Sequence, residues 1–363
     1  ELDNGLISSA TAGNSRDGGN VTLFGRSLTL TNNSQIEAST SGTGRAGTIA
    51  IANADVITLA GGSAIASETT GTGSAGGIAV TTQQLTLTDQ STISASSNST
   101  NSAANGGDVT IQANQIRLAG ASRISADTQG AAPGGNVALQ AGGPDLTVNV
   151  QGDARISAST SGSGRGGTIL AIAPSSITLD GAGQVAVETS GPGSGGNLQF
   201  ETQRLRLQNG VEVSASTTGP GAGGNIEVNA RDAVVINNSE LSSETDGTGR
   251  AGNVTVATGQ FTLQAGGEIT TATNAAGGGG NISVGATRGI DLLDAASSLQ
   301  ATTGIRAVAL TATQAGAAGT VRLTTSGLLN IQGATVSVSS GATGGNAGDV
   351  VIQAQAATLS QGG

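Results

Sequence analysis

Residues 195–228, GGNLQFETQRLRLQNGVEVSASTTGPGAGGNIEV, hold one full period of this chain and the opening of the next. Leu198 and Phe200 alternate with polar residues, then Leu205 and Leu207, then Val213 and Ala215. An alternation of period two over so few residues marks short, half-buried strands, and the apolar positions do not recur at a helical spacing. Gly, Asn, Ser and Thr separate the three runs. The pattern restarts at Ile226, 28 residues after Leu198.

The same block, a small residue, Gly, a polar residue and an alternating apolar strand, recurs from one end of the chain to the other. Its first apolar residues are Val21, Ile49, Ile78, Val109, Val137, Ile169, Leu198, Ile226, Val254, Ile282, Val321 and Val350, spaced by 28 to 32 residues except for one gap of 39. A second run follows about seven residues on, as in SLTL (27–30) and SITL (176–179), and a third as in QIEAST (35–40) and RISAST (155–160). Three strands and three turns per period are satisfied when each block is one coil and the coils stack. The expected fold is all-β: a single-stranded parallel β-helix of about twelve coils of about 28 residues, three strands per coil. Residues 1–363 are one continuous solenoid on this reading. At ~4.8 Å per coil the rod would be on the order of 60 Å long.

One glycine is present in every coil: Gly19, Gly47, Gly76, Gly107, Gly135, Gly167, Gly196, Gly224, Gly252, Gly280, Gly319 and Gly348. It implies a turn with positive φ or a close approach between coils. The next position is Asn at 20, 136, 197, 225, 253 and 281, which suits a stacked amide ladder. The spacing G-x-G-x-x-G occurs six times, for example Gly42/Gly44/Gly47, Gly71/Gly73/Gly76 and Gly162/Gly164/Gly167. Here it leads into a strand, so no helix N-terminus is offered to a pyrophosphate.

Composition narrows the chemistry. Gly makes up 61 of 363 residues, His, Cys, Met, Trp and Tyr are absent, and the 14 basic residues are all Arg. Disulfides, soft metal ligands, imidazole bases and Schiff-base lysines are therefore unavailable, which removes most enzyme mechanisms. A net charge of −10 and three Phe as the sole aromatics argue against a nucleic-acid partner. No apolar run approaches the roughly 18 residues of a membrane span, and residues 1–20 show no signal sequence, so any targeting segment is expected to be processed or outside the chain.

With GGNVTL-type first strands, LTL second strands, ISAST third strands and G-T-G-R-A-G turns, the chain resembles the repeat region of filamentous-haemagglutinin-like exoproteins of two-partner secretion systems, especially their glycine- and threonine-rich cyanobacterial group. The resemblance spans essentially the whole chain. It implies a right-handed helix and a bacterial protein exported unfolded through an outer-membrane pore, which folds outside as a rod for adhesion or matrix. The Asn-Pro-Asn-Gly motif of that family's secretion domain is absent, so the match is to the shaft. The expectation is an extracellular or cell-surface filament segment with no catalytic activity and no cofactor. Its partners would be other copies of itself, flanking coils, or surface glycans and cell surfaces.

Against this frame a few residues stand out. Glu212, Glu240 and Glu268 fall at equivalent positions of consecutive coils, a candidate ladder for a shared cation, or for solvated carboxylates relieved by Arg204 or Arg206. Glu68, Asp127, Glu188 and Glu244 fall on alternate coils, which spaces like charges by about one Debye length. Glu212 or Glu240 would be the acids of a carbohydrate-active β-helix enzyme, a remote alternative given the missing sugar-stacking aromatics. An ice-binding face would use Thr29, Thr58, Thr86, Thr147, Thr178, Thr262 and Thr358, a row interrupted by Arg117, Arg206 and Val235.

Two irregularities complete the reading. The gap of 39 places a loop insertion at 304–314, after a third strand, with Gly304, Ile305, Arg306 and Gln314 as a recognition loop. The chain also lacks caps: residue 1 reads as lying within a third-strand region, in phase with the stop after Leu359, although Ile7 offers a competing alignment. Uncapped ends suggest either a piece of a longer shaft or a subunit stacking head to tail into a fibre.

Overall fold

The structure is a computed structural model that describes residues 1–13, 16–99, 101–294, 303–309, 316–341 and 345–360. Among these residues there are strands and turns and no helix. Successive coils pair in parallel, strand on strand: Leu198 lies opposite Ile226, Ile226 opposite Val254 and Val254 opposite Ile282. The coils form a β-solenoid of about twelve turns. Inward side chains of the coils from Val21 to Ala334 merge into one aliphatic core, with Phe200 and Phe261 fully buried in it.

The three strands of a coil are divided between two sheets. First and second strands share a 19-stranded sheet, while the third strands build a 12-stranded one. In six coils the first two runs are a single strand, as in Asn197–Gln208 and Ile226–Asn237, and pairing shifts register at the corner, between Thr202 and Arg204. A bulge therefore makes this corner without breaking the strand, because an unpaired residue increases local bend and twist.

The recurrent glycine is explained by close approach. None of the twelve has positive φ. A Cβ built on Gly47 would lie 2.0 Å from the carbonyl oxygen of Gly19, and the same holds coil after coil through Gly224, 1.6 Å from Gly196 O, to Gly348, 2.0 Å from Gly319 O. The other glycines of the G-x-G-x-x-G turns stack likewise, Gly71 on Gly42 O and Gly73 on Gly44 O. These triplets are thus parallel ladders whose chains nest without side chains. The amide ladder forms beside them: Asn197 Oδ1 accepts from Asn225 N (3.1 Å), Asn225 Oδ1 from Asn253 N (3.0 Å) and Asn253 Oδ1 from Asn281 N (2.9 Å).

One ladder had not been anticipated from the sequence. The last residue of each third-strand run pairs across coils, in the series Thr11, Thr40, Thr69, Ser97, Thr128, Thr160, Thr189, Thr217, Thr245 and Thr273. From Thr40 onwards these hydroxyl residues are buried. Several accept the amide two residues on, as Thr40 Oγ1 does from Gly42 N (3.2 Å) and Thr217 Oγ1 from Gly219 N (3.3 Å). They tie the third strand to the glycine turn.

Three sequence expectations are corrected. Gly304–Ala309 is a third strand, paired with Glu268–Thr273 on one side and Thr335–Ser340 on the other, so Gly304, Ile305 and Arg306 are not a loop. Ile305 is buried in the core. From Ile282 to Gly304 is 22 residues against 14 from Val254 to Glu268, so eight of the eleven extra residues of the long gap precede the third strand; Gln314 lies outside the described residues. The threonine row slips at the fifth coil, where Arg117 faces Asn149 and Thr147 faces Gln115, because the strand Asp145–Val150 carries an extra inward residue. Finally, Leu2 pairs with Leu30 and Ile7 with Ile36, so the alignment through Ile7 holds and the chain opens in a second-strand region, not a third-strand one.

Candidate binding groove

The outward residues of the third-strand sheet form three rows along the rod. The first contains Arg123, Arg155, Gln184, Glu212, Glu240 and Glu268; the second Ser125, Ser157, Ala186, Ser214, Ser242 and Thr270. The third contains Ser96, Asp127, Ser159, Glu188, Ser216 and Glu244, each just before the buried threonine ladder. Although the second row faces outward by strand alternation, Ser157 and Ser214 are each only 2 % exposed. Long side chains on either side rise as walls above a floor of Ser, Ala and Thr, which makes a groove parallel to the rod axis. Two cavities open along it, one between Ala10 and Thr92, the other between Arg123 and Thr218.

The third row alternates carboxylate and serine for a structural reason beyond charge spacing. Each serine hydroxyl accepts the backbone amide of the acid in the next coil: Ser39 from Glu68 (3.1 Å), Ser96 from Asp127 (3.2 Å), Ser159 from Glu188 (3.0 Å) and Ser216 from Glu244 (3.0 Å). Asp127 returns the pattern, accepting from Ser159 N (2.7 Å) and from the Ser157 hydroxyl (2.7 Å). Burial raises the Glu68 carboxyl above its usual range, an effect opposed by a hydrogen bond from Ser94.

Arg155 shows how the groove holds a guanidinium. Its Nη2 contacts Glu188 Oε2 at 2.7 Å and Ser159 Oγ at 3.3 Å, while Nη1 contacts Gln184 Oε1 at 3.3 Å. Further along, Glu212, Glu240 and Glu268 do stand in register on three consecutive coils. Arg204 and Arg206 belong to the other sheet, and the ladder is met instead at its two ends. Gln184 Nε2 donates to Glu212 Oε2 (2.7 Å), and Arg306 pairs with Glu268.

Between those ends Glu240 and Glu244 have no side-chain hydrogen-bond donor among the described residues. Burial pushes Glu240 up to about 7, reinforced by Glu268, Glu244 and Glu212 and partly offset by Arg306. Glu244 is raised as well, by burial first and then by Asp246, Glu268 and Glu212. Among the described residues no three acidic groups converge as ligands for a metal ion. The groove itself was missed in the sequence because its floor reads as ordinary outward serine, and it is the longer side chains on either side that bury it.

Fold and side-chain usage together define a parallel β-solenoid repeat protein, in which the recurrent glycine nests coil on coil and Thr/Ser and Asn ladders join many of the coils. No family model, curated protein or solved structure matches the chain.

Proposed function

We propose that this chain is a rigid segment of an extracellular, adhesive filament of the filamentous-haemagglutinin-like kind, without catalytic activity. The observation that supports this most is the consistency of coil-to-coil pairing, from Leu2 on Leu30 to Ile331 on Leu359, with the Gly position stacked from coil to coil and the Thr/Ser ladder running from Thr11 to Thr273. A solenoid of this kind is stiff along its axis and displays many coils to a surface, while contributing few groups to any one site. Glu240, the one acid with a strongly raised proton affinity, owes it to burial and like-charged neighbours. The test is immunolabelling of intact producing cells, together with adhesion of beads coated with the purified chain to cells and immobilised glycans. Surface label and adhesion above that of uncoated beads are expected; label confined to the cell interior would overturn the reading.

A further inference from the structure

The acidic half of the groove repeats, two coils on, the surroundings in which Arg155 is held. Ser159 and Glu188, the acceptors of Arg155, are followed in their row by Ser216 and Glu244, and the amide of Glu244 again bonds to the serine hydroxyl, at 3.0 Å as in the first pair. Gln184, the third acceptor, corresponds to Glu240, a stronger one. At the position of Arg155 itself stands Glu212. The guanidinium acceptors are thus retained where the chain's own arginine is replaced by a carboxylate, with one difference: Ser216 Oγ also accepts from the Ser214 hydroxyl (3.0 Å), whereas Ser159 Oγ donates to Ala186 O (3.4 Å), so an incoming guanidinium takes the place of the Ser214 hydrogen.

A second observation comes from the floor. Thr270 is 8 % exposed, lies on the outward side between Glu268 and Ala272, and pairs in register with Ser242 and Arg306. Its hydroxyl oxygen is buried and has no hydrogen-bond partner. A buried hydroxyl left this way costs about 1–3 kcal/mol, and it lies one coil on from Glu240 and Glu244, whose side chains have no donor among the described residues. Arg306, from the next coil, already reaches Glu268 at this end of the groove.

We propose that the groove segment bounded by Glu212, Ser216, Glu240, Glu244 and Thr270 binds an arginine side chain of a basic, extended polypeptide from another molecule. A guanidinium suits it better than an ammonium, because a planar fork can bond a carboxylate and a hydroxyl at once, as Arg155 does. A single metal ion is a poorer fit to carboxylates that do not converge. This docking site stands whether or not the rod serves as a filament.

The experiment is fluorescence anisotropy of labelled tetra-arginine, tetra-lysine and spermine against the full chain at low salt. Expected are tighter binding of tetra-arginine than of the other two, and about tenfold weakening by the double variant Glu240→Gln/Glu244→Gln. The control Glu201→Gln/Glu227→Gln removes the same number of carboxyl groups from exposed positions of the other sheet and should shift the affinity less than about twofold. Glu212→Arg should abolish binding by placing a guanidinium among the same acceptors, with circular dichroism and thermal unfolding reporting that the rod is intact. Equal weakening by the control pair, undiminished binding to Glu212→Arg, or no binding of tetra-arginine would each overturn the proposal. Spermine binding as tightly as tetra-arginine would make a polyamine the occupant and overturn the polypeptide assignment.

Discussion

Gly76 and Gly77 are neighbours in the chain, yet replacing each by alanine should have opposite consequences. A Cβ on Gly76 would sit 1.9 Å from Gly47 O and 2.4 Å from Ser67 Oγ, whereas one on Gly77 would meet nothing nearer than Asp108 O at 3.5 Å. Ordinary contact begins at 3.4 Å, so Gly76→Ala forces a separation of about 1.5 Å between the two coils. The hydrogen bonds that flank the site, Ala46 N to Ser74 O at 3.0 Å and Ile49 N to Gly77 O at 2.9 Å, would then exceed bonding distance, and the Ser67 hydroxyl would lose Gly47 O. Two or three buried groups left unpaired at about 1–3 kcal/mol each give a destabilisation of about 3–6 kcal/mol. Gly77→Ala has no such clash and restricts the unfolded chain, so its effect should stay within about 0.5 kcal/mol. Urea unfolding gives the global comparison. Hydrogen exchange of peptides spanning residues 47–107 localises it, because stability in a solenoid is distributed between neighbouring coils. Comparable losses for the two variants, or tolerance of Gly76→Ala within about 1 kcal/mol, would refute the nesting argument.

Glu240 makes stability depend on pH. Its folded-state proton affinity is raised from 4.5 to about 7, so its contribution is fully present below pH ~4.5 and is lost as pH rises through ~7. The wild-type chain should be about 1–2 kcal/mol less stable at pH 8 than at pH 5 from this group, a figure reduced because the carboxyl is partly exposed, and Glu240→Gln should remove most of that difference in thermal scans. Thr217→Val keeps the shape of the buried ladder but removes the bonds to Thr189 O (2.8 Å) and from Gly219 N (3.3 Å). It should cost about 1–3 kcal/mol in urea unfolding while Thr217→Ser costs less than about 1. Arg306→Ala leaves Glu268 beside Glu240 without its ion pair, so it should steepen the loss of stability between pH 5 and pH 8; a profile parallel to wild type would refute the capping role.

Much of this architecture is written in the period of the chain, and its omissions have physical causes. Val, Ile and Leu alternate so regularly that strand, coil and core are all readable, while at the first coil the phase expected for residue 1 was wrong and the competing alignment through Ile7 holds. The recurrent glycine was readable as an obligation but not as a mechanism, since positive φ and close approach call for the same residue. The long gap fixes a sum of extra residues without dividing it between two turns, so the insertion expected at 304–314 covers GIRAVA although its alternation is that of a third strand. The threonine ladder had a visible signal, a hydroxyl residue at one phase of ten coils, yet Ser and Thr at a strand end look like solvated turn residues. The groove was least legible, because burial of an outward serine depends on side chains that neighbouring rows and coils bring around it.

The serine and carboxylate alternation described for the groove wall bears on how such a repetitive chain finds one structure. Coils this similar can pair out of order, with one looped out and its neighbours joined across the gap. That error would stack Glu68 on Asp127, or Asp127 on Glu188, at about 4.8 Å. It would cost about 1–3 kcal/mol in repulsion and remove the serine acceptor that each acidic residue's amide requires. The alternation thus doubles the repeat that matters to folding, so that a coil recognises its successor and rejects the one after it.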